Sequence, residues 1–313
     1  MQTRREFSKA LLAGIAAAAP LAAVNSRIGG VQIGVITYSF RGMPVEDMIP
    51  AMVKIGLGEA ELMSGDAETL AGMPKGPGRA GRGQPPTPEM LAAQQAQKEW
   101  RAAVKPAAFE GVRRKFTDAG IDLRLLCYNM GVNITDDEID YAFRMAHTLG
   151  AKAISSSSTV TVARRVAPIA DKYKMTWGAH GHDNVHDPEQ FATPEIFAKV
   201  LSMGKYMGVN LDIGHFTAAG FDAVSFIKEN HARITNLHLK DRKKNPPGGE
   251  GQIQNNNFPW GQGETPIREV LQLLKKERWD IPANIEYEYN ARATGDTATE
   301  VARCFEYAKM CLA

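Results

Sequence analysis

Beyond the first two dozen residues, short apolar runs alternate with longer amphipathic stretches along the whole chain. The runs rich in branched and small apolar residues read as strands: Val31–Phe40, Gly58–Met63, Ile121–Asn129, Ala151–Thr159, Met175–His182, Val209–Phe216, Ile234–Arg242 and Ile281–Tyr289. Between them the pattern predicts helices over Pro44–Ile55, Phe109–Ala119, Asp136–Leu149, Val162–Lys174, Pro194–Met203, Asp222–Ala232, Ile267–Trp279 and Thr297–Met310. In Asp136–Leu149 the apolar residues Ile139, Phe143, Met145 and Ala146 fall close to helical spacing, Thr135 is the expected N-cap and Gly150 the expected stop. Eight strand–helix units over about 290 residues match the size of an α/β chain folded as a (β/α)8 TIM barrel, here assigned to residues 28–313. A doubly wound sheet is the rival, and no GxGxxG follows the first strand to support its dinucleotide-binding form.

Two stretches break the rhythm, Gly72–Pro88, dense in Gly, Pro and Arg, and Asn245–Gly263, dense in Pro, Gly and Asn. Both follow strands, which in a barrel places them on the catalytic face. Asn245–Gly263, with Phe258 and Trp260, is expected to act as a lid, and Gly72–Pro88 reads equally well as a flexible surface insertion. The Arg79–Gly83 run inside it is expected to be solvated.

The start of the chain reads as an address. Thr3 to Lys9 is polar and basic, Ala10 to Val24 is apolar, and small residues occupy Ala19 to Ala23 apart from Pro20 and Leu21. That order is expected of a secretory signal, assigned to residues 1–23, and Arg4-Arg5 followed by Phe7 and Lys9 resembles a twin-arginine signal. Export to the periplasm, or otherwise out of the cytoplasm, is the expected destination. Without that segment the net charge of +2 falls to zero, which leaves no electrostatic footprint for nucleic acid. No other apolar run reaches the ~18 residues of a membrane span, so no stable membrane insertion is expected after signal removal. Cys127, Cys304 and Cys311 show no CxxC spacing and are expected to be buried and free.

Candidate chemistry collects at the ends of the last four strands. They hold His180-Gly181-His182, Asp212-Ile213-Gly214-His215, His238-Leu239-Lys240-Asp241 and Glu286-Tyr287-Glu288. Residues two apart on a strand share a face, so His180 pairs with His182, His238 with Lys240, and Glu286 with Glu288. Gathering so many ionisable groups is costly without a metal or mutual pairing. Nitrogen and carboxylate donors without thiolate describe one divalent ion such as Mn, Zn, Co or Fe. Such an ion could bind vicinal sugar oxygens and polarise a carbonyl, while a neighbouring base takes the adjacent proton. Glu61, Tyr38, Ser39, Trp177 and Trp260 are weaker candidates for substrate contact. His147, His186 and His231 lie outside the strand-end pattern.

The Asp-x-Gly-His of Asp212–His215, the His-x-Lys-Asp of His238–Asp241 and the late Glu286 resemble the xylose-isomerase-like TIM barrels. The resemblance spans the chain after the signal, from Gly34-Val35 and Glu61 to Glu286. It implies a metal-dependent carbohydrate isomerase or epimerase that abstracts a proton next to a metal-bound carbonyl, with a small-molecule carbohydrate as partner. Sugar epimerases of that group hold one metal with a Glu, an Asp, a His and a second Glu. Asp212, His238 and Glu286 match by position, whereas the first glutamate reads His180, so the implied metal set is His180, Asp212, His238 and Glu286. The departure removes one of the two carboxylates that epimerases place on opposite faces of the substrate. It leaves Glu286, His182 and Lys240 as catalytic candidates, and His215, Glu61, Tyr38 and Trp260 as substrate-binding ones. A 3-keto-glycoside lyase or dehydratase fits the same residues, as does a noncatalytic sugar-binding barrel. A homo-oligomer is compatible with all three readings.

Overall fold

The computed structural model describes residues 23–77, 85–246, 256–290 and 296–313. The expected signal segment, apart from Ala23, and the Arg79–Gly83 run lie outside the described residues.

Eight parallel strands form the centre: β1 (Val31–Ile36), β2 (Glu59–Met63), β3 (Asp122–Cys127), β4 (Ala153–Ser156), β5 (Thr176–His180), β6 (Met207–Asp212), β7 (Ile234–Leu239) and β8 (Ala283–Ile285). Each pairs with the next in sequence, and β8 returns to β1 with Asn284 opposite Gly34, so the sheet closes. This is the (β/α)8 barrel expected from the sequence, and the doubly wound rival is excluded. A two-residue strand, Arg27–Ile28, adds to β1 in antiparallel fashion.

Around the barrel lie α1 (Val45–Ile55), α2 (Ser64–Leu70), α3 (Pro88–Ala103), α4 (Pro106–Asp118), α5 (Asp136–Leu149) and α6 (Val160–Tyr173). They continue with α7 (Pro194–Leu201), α8 (Ile213–Ala218), α9 (Ala223–Asn230), α10 (Ile267–Glu277) and α11 (Thr297–Leu312). The apolar core includes Ile33, Val35, Leu62, Ile154, Trp177, Val209, Leu237 and Ile285 from the strands together with helix residues such as Ile139, Phe143, Val166 and Leu271. Trp177 is wholly buried there, and all three cysteines are buried and free. At the start of α5, Thr135 and Glu138 form a reciprocal capping box, and Gly150 ends the helix in the left-handed region at φ 78°.

The strands are shorter than their apolar runs suggest, and the reasons are local. β1 gives way at Thr37 to a 3-10 turn, Thr37–Phe40. β6 stops at Asp212 because its carboxylate Oδ1 accepts the backbone N–H of His215 (2.8 Å) and caps α8, which puts His215 on a helix rather than a strand. β8 leaves the ladder after Ile285, so Glu286 and Glu288 follow in unladdered backbone. α2 and α3 have no counterpart in the apolar pattern. α3 buries no residue; it is held by Arg101, whose guanidinium forks onto buried Glu68 at 2.6 and 2.8 Å.

Ser39 seals the β1–β8 seam. Its hydroxyl donates to the Ile285 carbonyl and accepts the Tyr287 N–H, each at 3.0 Å, with the side chain fully buried. It therefore serves the fold, and its full burial keeps it from a sugar hydroxyl. Ser39→Ala strands both backbone groups and should lower stability by about 1–3 kcal/mol. A denaturant midpoint that does not move would show the seam closes without it.

Candidate metal centre

Side chains from β2, β4, β7 and β8 meet on the barrel axis. Glu61 is fully buried, and its Oε2 accepts Asn236 Nδ2 (2.8 Å), Asn284 Nδ2 (3.0 Å) and His238 Nε2 (2.7 Å), while Oε1 accepts the Ser155 hydroxyl. These partners lie on non-adjacent strands, so only an inward-pointing side chain reaches them all. The strand register shifts between Ala60 and Glu61, and again between Val209 and Asn210. Both irregularities sit beside inward polar residues, where a bulge re-aims a side chain.

Above this layer stand His180, Asp212, His238 and Glu286, one ligand atom of each lying within 4.8 Å of the others. Their hydrogen bonds leave a donor set facing a common point. His180 Nδ1 meets the Asn210 amide oxygen at 2.6 Å, so Nδ1 carries the proton and Nε2 keeps its lone pair. A carboxylate can only accept, so His238 Nε2 carries the proton shared with Glu61 and Nδ1 turns toward Glu286 Oε2, 3.1 Å away. Asp212 uses Oδ1 on the cap, which leaves Oδ2. His238 Nδ1, Asp212 Oδ2 and Glu286 Oε2 are buried and engage in no well-directed hydrogen bond. Three such atoms around one point are what a divalent cation satisfies, and the nitrogen and oxygen donors suit a borderline metal. A second group, His180, His182 and His215, converges as closely but shares His180. In it, His215 is occupied by Asp183 at 3.1 Å and Lys240 at 3.3 Å.

Lys240 supplies positive charge to the same point. Its ammonium lies 3.0 Å from Asp212 Oδ2, 3.1 Å from Glu286 Oε2 and 2.6 Å from Glu288 Oε2. Burial alone would depress it, but those three carboxylates outweigh burial and hold the ammonium well above its usual range. Burial likewise favours neutral Glu286, yet Lys240 and His238 keep it well below the ordinary carboxylate value. Burial, reinforced by His180 and His215, drives His182 well below an ordinary histidine, so its ring is neutral.

A cavity of about 240 Å³ opens over the cluster, lined among others by Tyr38, His182, His215, Lys240, Glu286 and Glu288. Two expected substrate contacts do not reach it. Glu61 lies beneath, fully engaged by protein donors. Trp260 is 8% exposed and packs edge-on to Tyr307, their centroids 6.1 Å apart, in a different cavity of about 780 Å³ against α11. The reason is Asp241, whose carboxylate accepts the N–H groups of Gly261 (2.8 Å), Gly263 (2.9 Å) and Thr265 (3.2 Å) and pulls this segment to the outside. Of the expected lid Asn245–Gly263, residues 247–255 lie outside the described ones, and no residue of 256–263 lines the cluster's cavity.

Several residues of the site escaped the sequence reading: Glu59, Ser155, Asn210, Asn236, Asn284, Asp183 and Arg242. The strand asparagines fall two positions before a ligand, at Asn210, Asn236 and Asn284, and that spacing was the available signal.

Residues 89–307 match the family described as Xylose isomerase-like TIM barrel, and the chain belongs to it. Solved structures share the fold at low identity. A sugar phosphate isomerase/epimerase from Parabacteroides distasonis is 15% identical with a TM-score of 0.57, covering 93% of this chain and 98% of that one. The probable 3-DHS dehydratase AsbF of petrobactin synthesis from Bacillus anthracis is 14% identical with a TM-score of 0.60, covering 86% and 97%. The IolI protein with a bound zinc atom is 13% identical with a TM-score of 0.63, covering 90% and 98%. No curated protein matches the chain.

Glu59, below the cluster, gives a pH prediction. Burial pushes its carboxyl up to about 8 against the pull of Arg124, with Glu61 and Asp122 adding to the rise. Folding then takes up a proton between about pH 4.5 and 8. The stability this group contributes is full below that window and is lost as pH rises through it, with a slope of at most about 1.4 kcal/mol per pH unit. Glu59→Gln should remove that slope, and parallel stability–pH curves for the two proteins would contradict the assignment.

Proposed function

We propose that this protein is a divalent-metal-dependent carbohydrate enzyme of the isomerase/epimerase type, acting by removal of a proton next to a carbonyl. The observation that carries the reading is the convergence of buried His238 Nδ1, Asp212 Oδ2 and Glu286 Oε2 beside His180, without directed partners. An ion such as Mn, Zn, Co or Fe, held by His180, Asp212, His238 and Glu286, would polarise a substrate carbonyl and acidify the neighbouring C–H. The chain's own groups then handle the proton. Glu286 and His182 both line the cavity, and either can take a carbon-bound proton. The Lys240 ammonium donates to oxygen, and Tyr38, 39% exposed at the rim, can bind a hydroxyl.

Elimination is the second reading, and His180 favours it. The epimerase arrangement needs a carboxylate on each face of the substrate, and at this position the chain offers an imidazole instead. A 3-keto-glycoside lyase or dehydratase needs only one base for the adjacent proton and an acid for the leaving oxygen, which Lys240 supplies. Export, proposed on Arg4-Arg5 and the apolar run that follows, suits a glycoside substrate met outside the cytoplasm.

Metal content of the purified protein, followed by solvent exchange of protons from a panel of keto sugars, tests the reading. One ion per chain is expected, lost in both Asp212→Ala and Glu286→Ala while the fold persists. Unchanged stoichiometry in both variants would refute the ligand set. Loss of the true base should cut turnover by about 10²–10⁴. His180→Glu separates the two chemistries. If the native reaction is elimination, the variant gains epimerase activity or loses the native one; a wild-type epimerase indifferent to this change would end the elimination reading. A protein that binds keto sugars without exchange and without metal would be a binding barrel.

A further inference from the structure

Beneath the ligand set, the barrel axis holds a pair of groups that the proposed reaction does not use. Glu59 on β2 is enclosed on all sides, and neither of its oxygens has a hydrogen-bond partner. Asn284 Oδ1 on β8 is also buried and unpartnered. The two face the same space. A Cβ placed on Gly34 would fall 1.9 Å from Glu59 Oε2 and 2.6 Å from Asn284 Oδ1, so only glycine on β1 leaves room for them.

Two unpartnered acceptors that share a closed, water-poor space repel unless one of them carries a proton. Asn284 cannot relieve the conflict by turning over. Its Nδ2 already donates to Glu61 Oε2 at 3.0 Å, and reversal would set an amide oxygen against a carboxylate. Nor does a cation neutralise Glu59 by contact, because Arg124 donates instead to Asp280 Oδ2 at 2.7 Å.

We infer that Glu59 is a neutral carboxylic acid whose O–H donates to Asn284 Oδ1, and that this proton makes Glu59 a positioning residue for the metal ligand His238. The hydrogen bonds then have one consistent sense. Glu59 donates to Asn284, Asn284 Nδ2 donates to Glu61 Oε2, and the carboxylate so oriented accepts His238 Nε2–H at 2.7 Å. The Nε2–H of His238 is thereby fixed toward Glu61, and Nδ1, the atom that faces Glu286 and the ligand set, is the nitrogen left for a cation. The consequence for metal rests on the proposed function, whereas the protonated Glu59 does not depend on it.

The test has two arms on the full-length protein. In the first, infrared spectra of the metal-free protein at neutral pH are compared with those of Glu59→Gln. A deuterium-sensitive C=O band of a protonated carboxylic acid is expected in the wild type and absent in the variant. No such band overturns the inference. In the second, zinc affinity is measured by calorimetry for wild type, Glu59→Gln and Glu59→Met, with the ring-nitrogen resonances of His238 followed in the same proteins. Gln still donates to Asn284 Oδ1 and should stay within about threefold of wild type. Met cannot donate, and should lose about 10–100-fold in affinity with a mixed His238 tautomer, the size expected for an outer partner of a metal-bound histidine. A folded Glu59→Met protein with wild-type zinc affinity and an unchanged His238 spectrum overturns the positioning role. If the wild type binds no zinc, the metal reading fails, while the infrared arm and the His238 resonances of the metal-free proteins still decide on Glu59.

Discussion

A single carboxylate on the barrel axis, Glu61, accepts hydrogen bonds from β4, β7 and β8 at once, and the geometry above it follows from that convergence. Enclosing a lone carboxylate costs several kcal/mol, and the cost is offset only when its lone pairs are filled. Here Ser155, Asn236, Asn284 and His238 fill them. Burial alone would raise the Glu61 carboxyl; His238 and these donors outweigh it and hold it below the ordinary value. The price is specificity: a group that must receive four donors admits one arrangement of the strands that carry them, and one orientation of the His238 ring.

The barrel interior is consequently polar where many such barrels are filled with branched apolar side chains. Gly34, Glu59, Glu61, Ser155, Asn210, Asn236 and Asn284 occupy it, and most apolar residues of the strands face the helices, while Ile36, Met63 and Cys127 line the cavity. This division explains what the sequence could and could not disclose. The apolar half of each strand faces helices and forms continuous cores, so the eight strands and the helices packed on them show in the hydrophobic pattern. Alternation made His180 with His182, and Glu286 with Glu288, recognisable as sharing a face, and all four line one cavity. Strand ends depart from the apolar pattern where a side chain rather than an apolar run decides them, as when Asp212 caps α8 and moves His215 onto a helix. α3 leaves no mark in the apolar pattern because nothing in it is buried; a buried glutamate 33 residues before Arg101 holds it. Glu61 reads from sequence as a strand-end carboxylate facing a pocket, and only its four partners show that it serves the layer below.

Lys240 shows why the ligand set remains poorly satisfied by the protein alone. One ammonium meets Asp212, Glu286 and Glu288, and neutralises one of three charges. At 3.0 Å and 3.1 Å it answers the charge of Asp212 Oδ2 and Glu286 Oε2, yet it gives neither a directed hydrogen bond, because Glu288 at 2.6 Å draws it toward the cavity mouth. The negative charge of Asp212 and Glu286 is thus only partly met at the ligand set. His180 adds a neutral nitrogen there instead of a further carboxylate, which lowers the negative charge of the set by one. With a glutamate at this position, the ligand set would carry three carboxylates against one lysine. Once Glu288 is counted, histidine leaves a net two negative charges after Lys240, which one divalent cation balances and glutamate would exceed, while the face of the cavity without a carboxylate keeps a neutral base in His182. On the proposed function, histidine at position 180 thus changes charge at the ligand set and basicity at the substrate in the same direction, away from two opposed carboxylates and toward one base paired with one cationic acid.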